Sequence, residues 1–378
     1  MTSATLDMAF PRNVLFGCGI FGRLGSIAGR FGKKALLVCG RSALKKSGRL
    51  DEAMDLLIAE GIEVVLFEGV ENDPSLDTCR RGIAVAREKG CDMVVGIGGG
   101  SALDAGKTIA VMIPQDDDIS DYFHGKKEIP RPSLPFVAVP TTAGTGTECT
   151  PNAVLTDSEK GVKKSLRHES MMPDAALVDP ELTLTCPPSV TAHCGMDALT
   201  QAIECYVSKA ASPLSDALAL RAVELLAGNL EKAFAEPANI EHREPVALGS
   251  LMTAMAFANA RLGAVHGLAH PIGLHFHVPH GLVCAVLLPH VCEFNLPARR
   301  EKFADIAKAV GAANAEDVPS VLLELNRRLD IPPTLSGYGL TEAAFAVKVL
   351  PACRSGSMAA NPRDASDEDL VGISKRIV

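Results

Sequence analysis

No block of lysine and arginine occurs in this chain, and its formal charge is -8, which excludes nucleic acid as the main partner. No stretch approaches the roughly 20 consecutive apolar residues that a membrane helix needs, so no membrane partner is expected. The N-terminal run Met-Thr-Ser-Ala-Thr-Leu-Asp-Met-Ala-Phe lacks a basic region followed by an apolar core, so no secretory leader is expected. No Cys-x-x-Cys occurs among the eleven cysteines, which excludes a zinc ribbon or thioredoxin-type motif. Eleven scattered thiols fit a reducing cytoplasm, where they read as buried, small apolar residues. Cys194 and Cys205 lie near the suspected site and are the two to watch for oxidation. Internal repeats and low-complexity segments are also absent.

What is there is an alternation. Short apolar runs at 35–39, 62–67, 92–97 and 136–140, bounded by glycine and proline, read as strands buried on both faces. Helical spacing fills 48–60 and 74–89, the second with Asp73 as N-cap and Pro74 in the first turn. Such alternation predicts a parallel sheet covered by helices. After residues 179–188 the chain turns to Ala/Leu-rich stretches at 213–235, 245–262 and 301–310, which carry the apolar stripes of helices. Two domains are expected, an α/β domain over 1–185 and an all-helical domain over 186–378, with a cleft between them as a favoured ligand position.

Residues 92–107 read as strand, glycine turn and helix start. Gly98, Gly99 and Gly100 let the backbone approach a ligand, and the helix behind them offers unpaired N–H groups and a positive dipole end to a phosphate. Ser101 can cap that helix or bind a phosphate oxygen. The spacing is neither Gly-x-Gly-x-x-Gly nor a Walker loop, because Lys107 lies too far from the glycines. A second loop, Pro-Thr-Thr-Ala-Gly-Thr-Gly-Thr-Glu at 140–148, places Thr141, Thr142, Thr145 and Thr147 where they line a polar cofactor or form a solvated turn. Both loops follow strands, at the ends where open α/β sheets bind ligands.

Six of the ten histidines lie between His266 and His290, five of them within 266–280. Packing does not explain that density, and imidazole is both the commonest metal ligand and the side chain that titrates near neutrality, so a metal or a proton-transfer site is built here. Asp197 and Gln201 are i and i+4 in what reads as a helix start at Gly195, and His266 and His270 share the same spacing. His280 sits in Pro-His-Gly, between a rigid and a permissive residue. One carboxylate with two or three imidazoles suits Zn²⁺ or Fe²⁺. Taken singly, each of these histidines also fits a core or surface role. His275 and His277 alternate with apolar residues and read as structural or cleft-lining.

Together these residues resemble the iron-containing, group III alcohol dehydrogenases over nearly the whole chain. The resemblance rests on Gly-Gly-Gly-Ser-x-x-Asp-x-x-Lys at 98–107, which includes Asp104, and on Thr-Thr-x-Gly-Thr-Gly-x-Glu at 141–148. It continues through Pro-Asp-x-x-x-x-Asp-Pro at 173–180, Gly-x-Asp-Ala-Leu-Thr at 195–200, His-x-x-x-His-Pro at 266–271, Pro-His-Gly at 279–281 and Asn-Pro-Arg at 361–363. It implies a dehydroquinate synthase-like architecture: a Rossmann-like dinucleotide-binding α/β domain and an all-α domain that binds metal and substrate, with metal and nicotinamide meeting in the cleft. It implies reversible hydride transfer between a small alcohol or aldehyde and NAD(P), one divalent metal, and a homodimer built through residues 8–16, which could add a strand to a partner. By resemblance, Gly98, Gly99, Gly100 and Ser101 take the pyrophosphate, and Thr141, Thr142 and the loop through Thr145 and Thr147 sit near the phosphates and nicotinamide. Lys163 matches a lysine that reaches the cofactor ribose. Asp197, His266 and His280 match metal ligands, and His270 matches a histidine that relays protons.

Two positions depart from the family pattern. Gln201 stands where the family carries histidine as a fourth ligand, and an amide oxygen is a weak ligand for Fe²⁺ or Zn²⁺. Three strong ligands then remain, similar to the zinc site of glycerol dehydrogenases, and zinc or weak retention of metal is expected rather than iron. Val-Cys-Gly-Arg-Ser at 38–42 lacks the aspartate that NAD-selective members carry after the first strand. Gly40, Arg41 and Ser42 instead suit the 2′-phosphate of NADP, since guanidinium matches phosphate geometry. Two other classes share parts of the pattern. A metal-dependent lyase of the same superfamily needs several basic residues for a phosphorylated substrate, where the segments here are apolar. A nucleotide-binding sensor with a degenerate metal site draws weight from Gln201.

Overall fold

The computed structural model describes residues 7–378; the opening residues of the run read for a leader, 1–6, lie outside the described residues. The chain divides into a sheet unit, Phe10–Thr142 with Gly146–Thr185, and a helical unit whose main body is Cys186–Val378. Ala143–Thr145 and the described residues before Phe10 group with the helical unit, not with the α/β part where a boundary at 185 puts them. Local contacts explain both. The Ala9 N–H donates to Asn259 Oδ1 at 2.8 Å. A Cβ on Gly144 would lie 2.7 Å from that of Cys194, so only glycine lets the loop come this close.

The sheet unit is built on β1 (Asn13–Phe16), β2 (Lys34–Gly40), β3 (Glu63–Val70), β4 (Met93–Gly98), β5 (Phe136–Pro140), the hairpin β6 (Asn152–Asp157) and β7 (Val162–Arg167), and β8 (Ala175–Val178). Six strands form one sheet in the order β1-β8-β5-β4-β2-β3, with every neighbouring pair parallel. Its helices are α1 (Leu24–Ala28), α2 (Ala43–Lys46), α3 (Arg49–Ala59), α4 (Leu76–Lys89), α5 (Gly100–Met112) and α6 (Ile119–Phe123). Alternate residues of each strand feed two cores. Leu36, Val38, Val94 and Ala138 pack with Leu76, Ile83, Leu103 and Ile109. Leu37, Val95, Ile97 and Val139 pack on the other side with Leu24, Ile27, Ala53 and Leu57. Both faces are therefore dry, which is why the strands read as unbroken apolar runs and not as alternations.

Two sequence expectations need correction here, the cap of α4 and the burial of the thiols. The cap of α4 is Ser75, whose side chain accepts from the Thr78 N–H, and not Asp73, which adopts φ 54° and pairs with Lys163. Part of the segment expected to add a strand to a partner, Asn13–Phe16, pairs with β8 of its own chain and forms the sheet edge. The thiols are not uniformly buried: Cys18 is exposed, and Cys186 and Cys194 are half-buried.

The helical unit contains α7 (Pro188–Val207), α8 (Pro213–Ala235), α9 (Ile240–Ala260), α10 (Ala264–Phe276), α11 (His280–Asn295) and α12 (Arg300–Val310), followed by shorter helices. Gly195 does not start a helix; α7 begins a full two turns earlier at Pro188, a residue suited to a first helical turn. Its Cα can sit inside the bundle because a Cβ there would strike Leu230 at 2.2 Å. One stretch, His280–Ala298, does have the length and apolar composition of a membrane crossing, contrary to the expectation above. It is 78% buried inside the protein and so serves as a core helix.

Candidate functional site

In the sheet unit, register sets the ends of β2, β4 and β5 side by side: Cys39 lies opposite Ile97, and Gly98 opposite Pro140. Residues 40–42, 98–101 and 141–142 therefore leave adjacent strands at their carboxyl ends. β2 leads to β3 on one side and β4 lies on the other, so this is also where strand order reverses, the usual ligand position in such sheets. Gly98 has φ 153°, and Gly99 precedes α5 with no side-chain cap on that helix. A Cβ on Gly98 would come within 2.8 Å of Ala102. The helix thus opens with bare N–H groups at a closely approachable turn, a ready anion site.

The other residues expected to meet the nucleotide are tied together. Ser101 does not cap α5; its Oγ accepts from the Asp73 N–H at 3.2 Å, and Asp73 pairs with Lys163 Nζ at 2.7 Å. The Thr147 hydroxyl donates to Asp104, whose second oxygen accepts from the Val154 N–H at 3.0 Å, so these two side chains are engaged in holding the loop. Lys107 also serves the loop. Its buried Nζ donates to the carbonyls of Thr147 and Thr150, each at 2.6 Å, and of Asn152 at 2.8 Å. Burial lowers the Lys107 pKa to about 8 against the pull of Asp104 and Glu148. Burial also raises that of neighbouring Glu148 to about 7. Arg41 and Ser42 are exposed beyond the half-buried Gly40.

In the helical unit, three helices bring ligand-type atoms together. Asp197 on α7, His266 on α10, and His280 and Cys284 on α11 each place one such atom within 4.8 Å of the others. Asp197 Oδ1 lies 3.3 Å from His266 Nε2 and 3.7 Å from His280 Nε2. Cys284 Sγ lies 3.8 Å from His266 Nε2 and 3.7 Å from His280 Nε2. His270, one turn beyond His266, stacks on His280 with ring centroids 5.4 Å apart and an interplanar angle of 17°. No atom of His275, His277 or His290 joins the cluster among the described residues. His277 instead ends α10 in a left-handed conformation, φ 53°.

The electrostatics match an assembly of ligands. Burial pushes the Asp197 carboxyl up, yet the His280 and His266 imidazoles outweigh it and the net shift is downward. Burial opposes the charged form of His266, but Cys284, Glu204 and Asp197 around it raise its pKa overall. Burial lifts the Cys284 thiol to about 12. Gln201, one turn after Asp197, has its Oε1 buried with no hydrogen-bond partner among the described residues. An acceptor left so is costly unless an ion or its bound water meets it, and the donor set fits a divalent metal.

Sequence reading missed the support of this cluster. Glu204 Oε2 accepts from His266 Nδ1 at 2.6 Å while its Oε1 accepts from the Val265 N–H at 2.6 Å. Asn361 Oδ1 accepts from the Ala264 N–H at 3.1 Å and is held by a reciprocal amide pair with Asn295. A Cβ on Gly263 would meet Glu204 and Asn361 within 2.9 Å, so glycine is needed where α10 begins. The i, i+4, i+7 spacing of Asp197, Gln201 and Glu204 was a visible signal, as was the i, i+4 spacing of His280 and Cys284.

Known proteins share this framework. Residues 11–180 match the model of the family described as iron-containing alcohol dehydrogenase, and residues 191–378 match that of the Fe-containing alcohol dehydrogenase family, C-terminal. The chain is 40% identical to a 1,3-propanediol dehydrogenase of Klebsiella pneumoniae over 91% of each chain. It is also 40% identical to an NADPH-dependent butanol dehydrogenase of Clostridium saccharobutylicum, over 91% of this chain and 89% of that one. A solved structure of a 1,3-propanediol oxidoreductase superposes with a TM-score of 0.94 at 37% identity, covering 99% of this chain and all of the other.

Proposed function

The chain belongs to the iron-containing alcohol dehydrogenase family and is an NAD(P)-linked oxidoreductase of alcohols or aldehydes, and from that premise we propose that its divalent ion is held by Asp197, His266 and His280. The observation that carries this assignment is the convergence of their ligand atoms, all buried or half-buried, on one point of the helical unit. Bound there, the ion would polarise a carbonyl oxygen in reduction and lower the alcohol pKa in oxidation.

The protein's own groups do the rest. Glu204 takes the Nδ1 proton of His266 in a hydrogen bond, which fixes the tautomer and turns Nε2 toward the cluster. His270, half-buried and stacked on His280, is suited to take up or deliver the substrate proton. The sheet unit binds the dinucleotide: Gly98, Gly99, Gly100 and Ser101 receive the pyrophosphate at the bare start of α5, and Thr141 and Thr142 line its path. Asp104, Thr147 and Lys163 shape that loop from behind.

Zinc is favoured over iron, because Gln201 offers an amide where the family supplies a histidine. NADP(H) is favoured over NAD(H), because exposed Arg41 and Ser42 follow β2 where a carboxylate would repel a 2′-phosphate. Edge strand β1 has one side open and suits a homodimer interface. Eleven cysteines fit a cytoplasmic location.

The test is cofactor absorbance with NADPH and NADH against a panel of short-chain aldehydes. Turnover with the larger kcat/KM for NADPH is expected. Tight NADPH binding without oxidation by any aldehyde, in metal-loaded protein, would favour the sensor instead.

A further inference from the structure

We infer that Cys284 is a ligand of the divalent ion, supplying the fourth protein donor that the family's histidine leaves vacant at Gln201. This rests on the metal reading above. Four spacings carry it. With metal–nitrogen and metal–oxygen bonds of about 2.0 Å and a metal–sulfur bond of about 2.3 Å, a tetrahedral ion sets N/O donors about 3.3 Å apart and sulfur about 3.6 Å from nitrogen. The cluster has 3.3 and 3.7 Å from Asp197 Oδ1 to the two imidazole nitrogens, and 3.8 and 3.7 Å from Cys284 Sγ to the same nitrogens. An octahedral arrangement with the same bonds needs neighbouring donors only about 2.9–3.1 Å apart, closer than any of these. Four of the six donor spacings therefore match one tetrahedron, and a catalytic zinc site can expand to five donors, which leaves a place for a substrate oxygen.

The sequence positions make this arrangement rigid. His280 and Cys284 are one turn apart on α11, so a single helix presents both. Gly281 between them could not be any other residue without moving the helix, since a Cβ there would lie 2.1 Å from the His193 carbonyl oxygen. Cys284 is fully buried, so its sulfur has the cluster and not solvent as its polar surroundings. On binding, the thiol proton is released to solvent and a sulfur–metal bond forms; no electron is transferred. A thiolate beside two imidazoles and one carboxylate draws selectivity toward Zn²⁺ and Co²⁺ and away from harder, oxygen-seeking ions. With Gln201 in place of the family's histidine, the fourth ligand thus comes from α11 and not from α7.

The probe is cobalt. Protein stripped with chelator and reloaded with one equivalent of Co²⁺ should show an intense sulfur-to-cobalt charge-transfer band in the near ultraviolet. Cys284→Ser and Cys284→Ala should lose that band, and their Zn²⁺ affinity by dye competition should fall at least as far as the roughly 10- to 100-fold that losing a supporting residue costs. Gln201→Ala should keep the band. The wild-type spectrum is decisive even if a variant folds poorly. Cobalt bound without the band, or zinc held by a folded Cys284→Ala as tightly as by wild type, overturns the ligand assignment alone. Failure to bind any divalent ion brings down the metal reading as well.

Discussion

Glu204→Gln tests the support of the metal cluster without touching a ligand. Both carboxylate oxygens of Glu204 are engaged at 2.6 Å, one by His266 Nδ1 and one by the Val265 N–H, and both side chains of the ion pair are 3% exposed. Glutamine keeps one acceptor for the Val265 N–H, so α10 stays capped, but it removes the charge that fixes the His266 tautomer and raises the basicity of Nε2. Loss of such a partner typically costs about 10- to 100-fold in metal affinity, or about 1.4–2.7 kcal/mol. That range agrees with the roughly 1.5–3 kcal/mol assigned to a hydrogen bond with a charged group. Zinc affinity should be measured by competition with a chelating dye, beside thermal unfolding of the metal-free protein. The expected result is weaker zinc binding with an intact fold. Wild-type affinity in a folded Glu204→Gln protein would refute the view that this carboxylate orients His266.

His266→Ala should abolish metal binding and turnover, whereas His270→Ala should retain the metal and slow turnover; metal content and kcat measured on the same samples separate the two. Arg41→Ala should raise the KM for NADPH while leaving that for NADH nearly unchanged, and equal effects on both cofactors would remove Arg41 from 2′-phosphate recognition. Glu148 tests the buried charges around Lys107. Its folded pKa, about 7, lies above the ordinary 4.5, so its contribution to stability is complete below pH 4.5 and is lost as pH rises through 7, by up to about 3 kcal/mol. Urea unfolding at pH 5 and 8 should show that decline in the wild type and a flatter response in Glu148→Gln; parallel slopes would contradict it.

Four strands, both glycine-rich loops and the clustered histidines were legible because each depends on local pattern. β2 to β5 are short apolar runs bounded by turns, and His266 and His280 stand in distinctive spacings. What could not be read depends on approach in space. β8 is only four residues long and acquires its identity from pairing with β1 and β5. Lys107 looks like a solvated helix residue until three carbonyls are found around its Nζ. Asp73 has the chemistry of a helix cap, but Ser75 occupies that position and leaves Asp73 to Lys163. Cys284 was one apolar-looking thiol among eleven; its i, i+4 spacing to His280 was visible, but only the packing of α10 against α11 brings His266 to it as well.

The most direct measurement is turnover of chelator-stripped protein during titration with Zn²⁺, using NADPH and an aldehyde that the native protein reduces. Activity should be absent at the start, rise linearly and saturate at one ion per chain, with His266→Ala giving no recovery under the same titration. Full turnover in protein that contains no measurable metal would contradict the assignment of Asp197, His266 and His280 as the working centre of this enzyme.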